Sequence, residues 1–296
     1  MHNPEYLRHS LAHLLAAAVL DLRPDTKRAI GPAIENGFYY DFEFSKPISD
    51  DGLPAIEKKM REILKTWKSF EGREVSPAEA KELFKDNPYK LELIDEFSGK
   101  GDTLTIYTSG NYEDLCRGGH VENAKDIDPK AFKLTHTAGA YWRGSEKKKM
   151  LTRIYGLAFA TKKELDEHLT MLGEAKKRDH KILGPQLDLF MFHPTSPGMP
   201  YWLPKGVTLY NELVQFWRHE HQKRGYQEII SPILNKKELY VTSGHFDHYW
   251  PEMFVAKVGE NEEYGVKAMN CPNAMIVFGA KSHSYRDLPL RLSDTD

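Results

Sequence analysis

Thr161, Lys162, Lys163 and Glu164 spell a helix-opening capping box, and the charged run behind it reaches about Ile182. A helix this polar bridges domains instead of filling a core, and that constrains everything else. Residues 1–162 and 185–296 must each build a core of their own, with residues 163–184 as the linker. The 296 residues are enough for two such domains. No stretch approaches the roughly 18 consecutive apolar residues of a membrane span, and MHNPEYLRHS lacks the features of a signal peptide. A cytoplasmic location is expected, with no membrane partner.

The first domain reads as α+β. Asn3 suits an N-cap and Pro4 the first helical position, and Leu7, Leu11, Leu14, Leu15 and Leu22 fall near one face. Arg23-Pro24 ends this helix. Short strands follow around residues 30–44. A second helix is expected over residues 54–70, and Ser76-Pro77-Ala78-Glu79 opens a third. From Thr103 to Ala160 the alternating runs LTIYTS, AFKLTHTAGAYW and MLTRIYGLAFA predict antiparallel strands. After a loop rich in Pro and Gly, a second amphipathic helix near Val207 to Arg224 leads into a strand from Tyr226 to Ser231.

Two cysteines far apart in sequence, Cys116 and Cys271, argue against a disulfide framework, so each thiol is judged as a ligand, a reactive group or core filler. His9 and His13 lie four apart on the first helix, so their imidazoles share a face. Cys116 and His120 repeat the spacing in DLCRGGH, with Asp114 two residues earlier. The two pairs are the ligand inventory of a zinc site, or equally of a polar hydrolytic pocket. Taken singly, each has a plainer reading as a hydrogen-bonded helix histidine or a buried thiol. The formal net charge of −2 does not announce a nucleic-acid binder, although local basic runs suffice to hold one. Lys147, Lys148 and Lys149 form one such run; Lys176, Lys177, Arg178 and Lys181 form another. Each is an ordinary solvated face or a phosphate contact.

RHSLAHLLAAAV, AIGPAIENGFYYD, DLCRGGH and TAGAYWRG followed by RIYGLAFA, in that order, resemble the editing domain of threonyl-tRNA synthetases, which alanyl-tRNA synthetases share. The second half resembles the same family independently. KGVTLYNELVQFWRHEHQKRGYQEIISP is similar to class II motif 1, here about residues 206–232, while GVKAMNCPNAM and SYRDLPLRLSD are similar to the segments leading to motif 2. The resemblance therefore implies an α+β editing domain of helices and antiparallel strands, a linker helix, and the opening part of an antiparallel-sheet class II catalytic domain.

Carried over position by position, the resemblance implies an editing pocket of His9, His13, Lys90, Asp114, Cys116 and His120, with Tyr40 binding substrate. His9 and His13 would position or activate water, and Lys90 would stabilise charge or orient the terminal adenosine. Asp114 would hold the substrate amino group, while Cys116 and His120 would shape the pocket. By itself Lys90 reads as a solvated lysine. Cys271 matches a ligand of the zinc that recognises threonine, although MNCPNAM stands where MNCPGH is commoner. The implied partners are tRNA(Thr), threonine, ATP with Mg2+, and a second copy of the chain through the motif 1 helix. The alanyl relatives bind metal with the same spacing; the threonyl branch is expected to edit without it. Against this family pattern, a small N-terminal domain, the motif 2 arginine and everything beyond it are absent, so ATP-dependent aminoacylation is not expected of this chain alone. His245, His248 and His283 are expected to take no part in catalysis. A binding module for zinc or tRNA without chemistry is the competing expectation.

Overall fold

The computed structural model describes residues 3–259 and 262–295. The chain forms two compact units that divide between Lys177 and Arg178.

In the first unit α1 (Pro4–Leu22) begins where the Asn3 side chain accepts from the Glu5 amide at 3.0 Å. Its residues from Ser10 to Val19 are all buried. Ala12, Ala16 and Ala18 keep it slender, so it seats deep in the core; Leu22, expected on the apolar face, is exposed. Next come β1 (Lys27–Arg28), β2 (Ala33–Ile34) and β3 (Gly37–Glu43), then α2 (Leu53–Leu64). The expected continuation of α2 to residue 70 fails at Thr66. Its hydroxyl donates to the Ile63 carbonyl at 2.7 Å, and the amides of Thr66 and Trp67 turn back to the same carbonyl. The helix end is thus capped locally, and Trp67 drops into the core.

A smaller layer follows: β4 (Glu71–Val75), α3 (Pro77–Leu83), α4 (Pro88–Gly99), β5 (Leu104–Ser109) and β6 (Tyr112–Leu115). The three strands make one antiparallel sheet in the order β4-β5-β6. Finally β7 (Phe132–Tyr141) and β8 (Met150–Ala158) join β1 and β3 in an antiparallel sheet of order β1-β3-β8-β7, with β2 on β3. Period-two alternation sends Phe38, Tyr40 and Phe42 of β3 and Ile154 of β8 inward onto α1 and α2. A second core under α3 and α4 gathers Ala80, Phe84, Ile94, Leu104, Ile106 and Leu115.

The polar helix α5 (Lys162–Lys177) ends earlier than the sequence suggests. Asp179 takes the Lys181 amide on its own side chain at 2.8 Å and caps a new helix, α6 (His180–Gln186). The second unit continues with β9 (Phe190–Met191), β10 (Tyr201–Trp202), α7 (Pro204–Lys223), β11 (Gln227–Ile229), β12 (Leu234–Lys236), α8 (Lys237–Thr242) and α9 (His245–Tyr249). It ends with β13 (Val255–Val258), β14 (Glu262–Val266), α10 (Cys271–Gly279) and β15 (Leu292–Asp294). On α7, Leu213 and Phe216 are 61% and 66% exposed. No described helix is long and apolar enough to cross a membrane.

Candidate functional site

Helix α1 and the loop after β6 meet over four side chains. His9 and His13 project from one face of α1, with ring centroids 5.0 Å apart. Beyond β6 the chain reverses through Gly118 and Gly119, both in the left-handed region at φ 87° and 84°. A Cβ on Gly118 would also stand 2.5 Å from the Tyr107 hydroxyl, so space and backbone both call for glycine. The reversal carries Cys116 and His120 back onto α1. His120 lies 4.3 Å from the His9 ring and 4.4 Å from that of His13, and its Nε2 is 3.2 Å from Cys116 Sγ. Ser10 steadies it: its hydroxyl accepts from the Val121 amide at 3.1 Å and bonds His120 Nδ1 at 3.2 Å. The Phe70 ring stacks on His120 at 4.8 Å.

Beneath this cluster lies a buried charge network. The carboxylate of Asp114 is 1% exposed and accepts from five donors. Oδ1 takes Lys90 Nζ at 2.6 Å, Arg28 Nε at 3.3 Å and the Leu115 amide at 2.9 Å. Oδ2 takes the Tyr112 hydroxyl at 2.8 Å and the Tyr40 hydroxyl in a short hydrogen bond. Five donors fill the roughly four lone-pair positions of the carboxylate in this structure. Tyr40, 1% exposed, also accepts from Lys90 Nζ at 3.3 Å and belongs to the same network. Lys90 is the clearest departure from its plain reading: it is 2% exposed, not solvated.

Burial sets the protonation states. It draws the His13 pKa well below the ordinary histidine value, with His120 adding to the effect, and it lowers His9 as well. Burial brings His120 down to about 3 and pushes the Cys116 thiol up to about 12. Three neutral imidazoles and a neutral thiol thus face one another at neutral pH. Burial alone would also raise the Asp114 carboxyl, but Lys90 and then Arg28 outweigh it and hold it well below the usual range. Burial lowers Lys90, with Asp114 working against it.

The ligand atoms of His9, His13, Cys116 and His120 lie within 4.8 Å of one another. Tetrahedral zinc, with bonds of 2.0–2.3 Å, holds its ligands roughly 3.3–3.8 Å apart. The donor set suits zinc, and the cluster would have to contract by up to about an ångström to hold it. A cleft of about 580 Å³ opens onto the cluster, lined by Tyr6, His9, Pro32, Ala33, Arg117 and Gly118. His9 is the member of the cluster that lines this cleft.

Cys271 stands apart, exposed at the first position of α10 in the second unit. Among the described residues it belongs to no group of three metal-binding side chains, so these residues alone do not form a zinc centre there. Two of the three lysines in the 147–149 run are engaged: Lys148 pairs with Glu92 at 2.8 Å and Lys149 with Glu43. Arg28, Tyr112, Ser10 and Asn87 escape the sequence reading. Tyr112 had a signal, because Y-x-D on a strand puts both side chains on one face. Asn87 before Pro88 had one too, as a cap with proline at N1. Arg28 and Ser10 had none.

Comparison with known proteins agrees across the chain. Residues 104–155 match the domain family described as the threonyl and alanyl tRNA synthetase second additional domain. The threonine–tRNA ligase of Thermotoga neapolitana is 51% identical over 292 residues, covering 97% of this chain and 45% of that protein. That of Borreliella burgdorferi is 51% identical over 288 residues, covering 97% and 49%. A crystal structure described as the RNA binding domain of threonyl-tRNA synthetase from Cryptosporidium parvum aligns with 40% of this chain and 29% of its own, at 45% identity and a TM-score of 0.38. The chain spans about half the length of the curated relatives it matches. Over that half, and through both units, it belongs to the threonine–tRNA ligase family.

Proposed function

We propose that the first unit hydrolyses the ester of mischarged seryl-tRNA(Thr), as the editing part of an enzyme that joins threonine to tRNA(Thr) with ATP. The observation that carries this reading is the convergence of His9, His13, Cys116 and His120 at the end of a cleft, above the buried Lys90–Asp114 pair. In organisation, residues 1–162 act as the editing domain, 163–184 as the linker and 185–296 as the start of the class II catalytic domain. ATP with Mg2+, threonine, the zinc that takes Cys271 as a ligand, and a homodimer through α7 belong to the whole enzyme. Its place is the cytoplasm.

The need for editing is thermodynamic. Serine differs from threonine by one methyl, worth roughly 1–3 kcal/mol of discrimination, which is too little for accurate translation. A second pocket that excludes the larger threonine removes the error. In the first unit the neutral imidazole of His9 lines the cleft and takes the proton of the attacking water. Water oxygen bonds to the ester carbon, the carbonyl oxygen gains charge, and the ribose oxygen leaves with a proton. Lys90 supplies positive charge close to the cluster and favours that oxyanion. His13, 3% exposed, holds its place behind His9 and His120. Cys116 and His120 shape the pocket, and the chemistry proceeds without a metal.

The test is deacylation of seryl-tRNA(Thr) by the purified chain beside His13→Ala and Lys90→Ala. Rapid loss of serine that either change abolishes supports the reading. Stoichiometric zinc on the cluster with no hydrolysis by folded protein favours instead a binding module without chemistry.

A further inference from the structure

The network under the pocket closes on itself through residues that lie away from the four clustered side chains. Asn87 caps α4: its Oδ1 accepts the amides of Tyr89 at 3.2 Å and Lys90 at 3.3 Å, which fixes the helical turn that carries Lys90. The Nδ2 of the same side chain donates at 2.8 Å to the carbonyl of Arg28. Arg28 in turn lies 5.3 Å from the Phe84 ring and 5.2 Å from that of Tyr112. Its Nη2 donates to the Glu113 carbonyl at 2.7 Å, and its Nε reaches Asp114 Oδ1, the oxygen that also accepts Lys90 Nζ. Asn87, Lys90, Asp114 and Arg28 form a closed ring that ties β1, α4 and β6 together.

We infer that Arg28 and Asn87 are positioning residues for Lys90, an inference that rests on reading the pocket as an ester-hydrolysing site. A lysine is a point charge on a flexible four-carbon stem, so its location is only as definite as that of its partner. A guanidinium is a planar fork. Anchored on the Glu113 carbonyl, this fork fixes the carboxylate of Asp114, and the carboxylate fixes Lys90. Asn87 sets the other end, the backbone from which the Lys90 side chain departs. Two positive charges, the buried Lys90 and the half-buried Arg28, share the single buried carboxylate of Asp114, so one positive charge remains uncancelled below the three neutral imidazoles. The ring holds that charge in place, where an oxyanion can use it.

The test is a set of variants of the whole chain with seryl-tRNA(Thr). Arg28→Gln keeps a polar side chain and removes the charged fork; it is expected to lower kcat roughly 10- to 100-fold with KM within about twofold, the scale of a misplacement near an ångström. Asn87→Ser keeps a neutral N-cap acceptor for the helix amides and removes the donor to Arg28; a several-fold fall in kcat is expected. Because Arg28 acts through Lys90, Arg28→Gln combined with Lys90→Met is expected to be no slower than Lys90→Met alone. Unchanged kcat per folded molecule in Arg28→Gln, or rate losses that multiply in the double variant, would overturn the inference. A second arm needs no activity. In urea denaturation the double variant leaves Asp114 without either cation, so its loss of stability should exceed the sum of the singles. If the wild-type chain fails to deacylate, the editing reading falls, and this stability cycle still decides the ring: additive losses refute it.

Discussion

Replacing Asp114 by asparagine tests the buried network with almost no change of volume. In the folded chain the carboxylate oxygen Oδ1 accepts from two cations, Lys90 at 2.6 Å and Arg28 at 3.3 Å. The amide that replaces it carries no charge, so the buried Lys90 and the half-buried Arg28 both lose their counter-ion. The Tyr40 and Tyr112 hydroxyls can rotate to accept from the new amide, so the loss falls mainly on the two charge-assisted bonds. Hydrogen bonds to charged groups contribute about 1.5–3 kcal/mol each, and breaking a buried pair costs about 3–5 kcal/mol. We therefore expect a loss near 4 kcal/mol, against a typical domain stability of about 5–15 kcal/mol. With a urea slope of about 2 kcal/mol per molar, the midpoint should fall by roughly 2 M. Hydrogen exchange of the β6 amides in rising urea reads the first unit alone. The pH dependence carries the same signature. The folded carboxyl sits well below its ordinary value, so its contribution is present above about pH 4 and is lost as pH falls below that. The variant lacks this acid-side loss. A midpoint shift under about 0.5 M would show that Asp114 is not the hub of the network.

Three further outcomes follow from the pocket. Gly118→Ala forces φ 87° on a residue with a side chain and drives a methyl toward the Tyr107 hydroxyl; thermal unfolding should register a loss of about 1–3 kcal/mol, and deacylation should fall with it. Prolonged chelation should leave deacylation unchanged and elemental analysis should find no stoichiometric zinc; activity that disappears and returns with zinc would contradict the metal-free reading. His120, with its folded pKa brought to about 3 by burial, binds protons less readily than in the unfolded chain, so stability should decline as pH falls from about 6.5 toward 3. Urea midpoints at pH 7.5 and 5 measure this, and His120→Asn should flatten the slope.

Local signals were the legible ones. The cap and proline that open α1, the alternation in LTIYTS and the H-x3-H pair on one helix face each depend on residues within a turn or a strand of one another. The C-x3-H pair was legible as a pair but not as a shape, because Cys116 and His120 meet through two left-handed glycines, not through a helical turn. Lys90 looked solvated because its partners lie elsewhere in the chain: Asp114 in β6, Arg28 in β1, Tyr40 in β3. Tertiary pairing of that kind leaves no periodic trace. The end of α2 was misplaced because Trp67 continues the apolar spacing, while the Thr66 hydroxyl, which ends the helix, is a single side-chain bond. The implied substrate roles of Asp114 and Tyr40 came from the family resemblance alone; the structure adds that both side chains are buried and hydrogen-bonded to each other beside Lys90.

On the proposed function the first unit removes serine, and not threonine, from tRNA(Thr). The most direct measurement mixes the purified chain with seryl-tRNA(Thr) and threonyl-tRNA(Thr) bearing distinguishable labels in one reaction and follows both esters. Fast release of serine while threonine stays attached is expected, at the same rate with and without chelator. Release of both amino acids at equal rates, or of neither by folded protein, would contradict it.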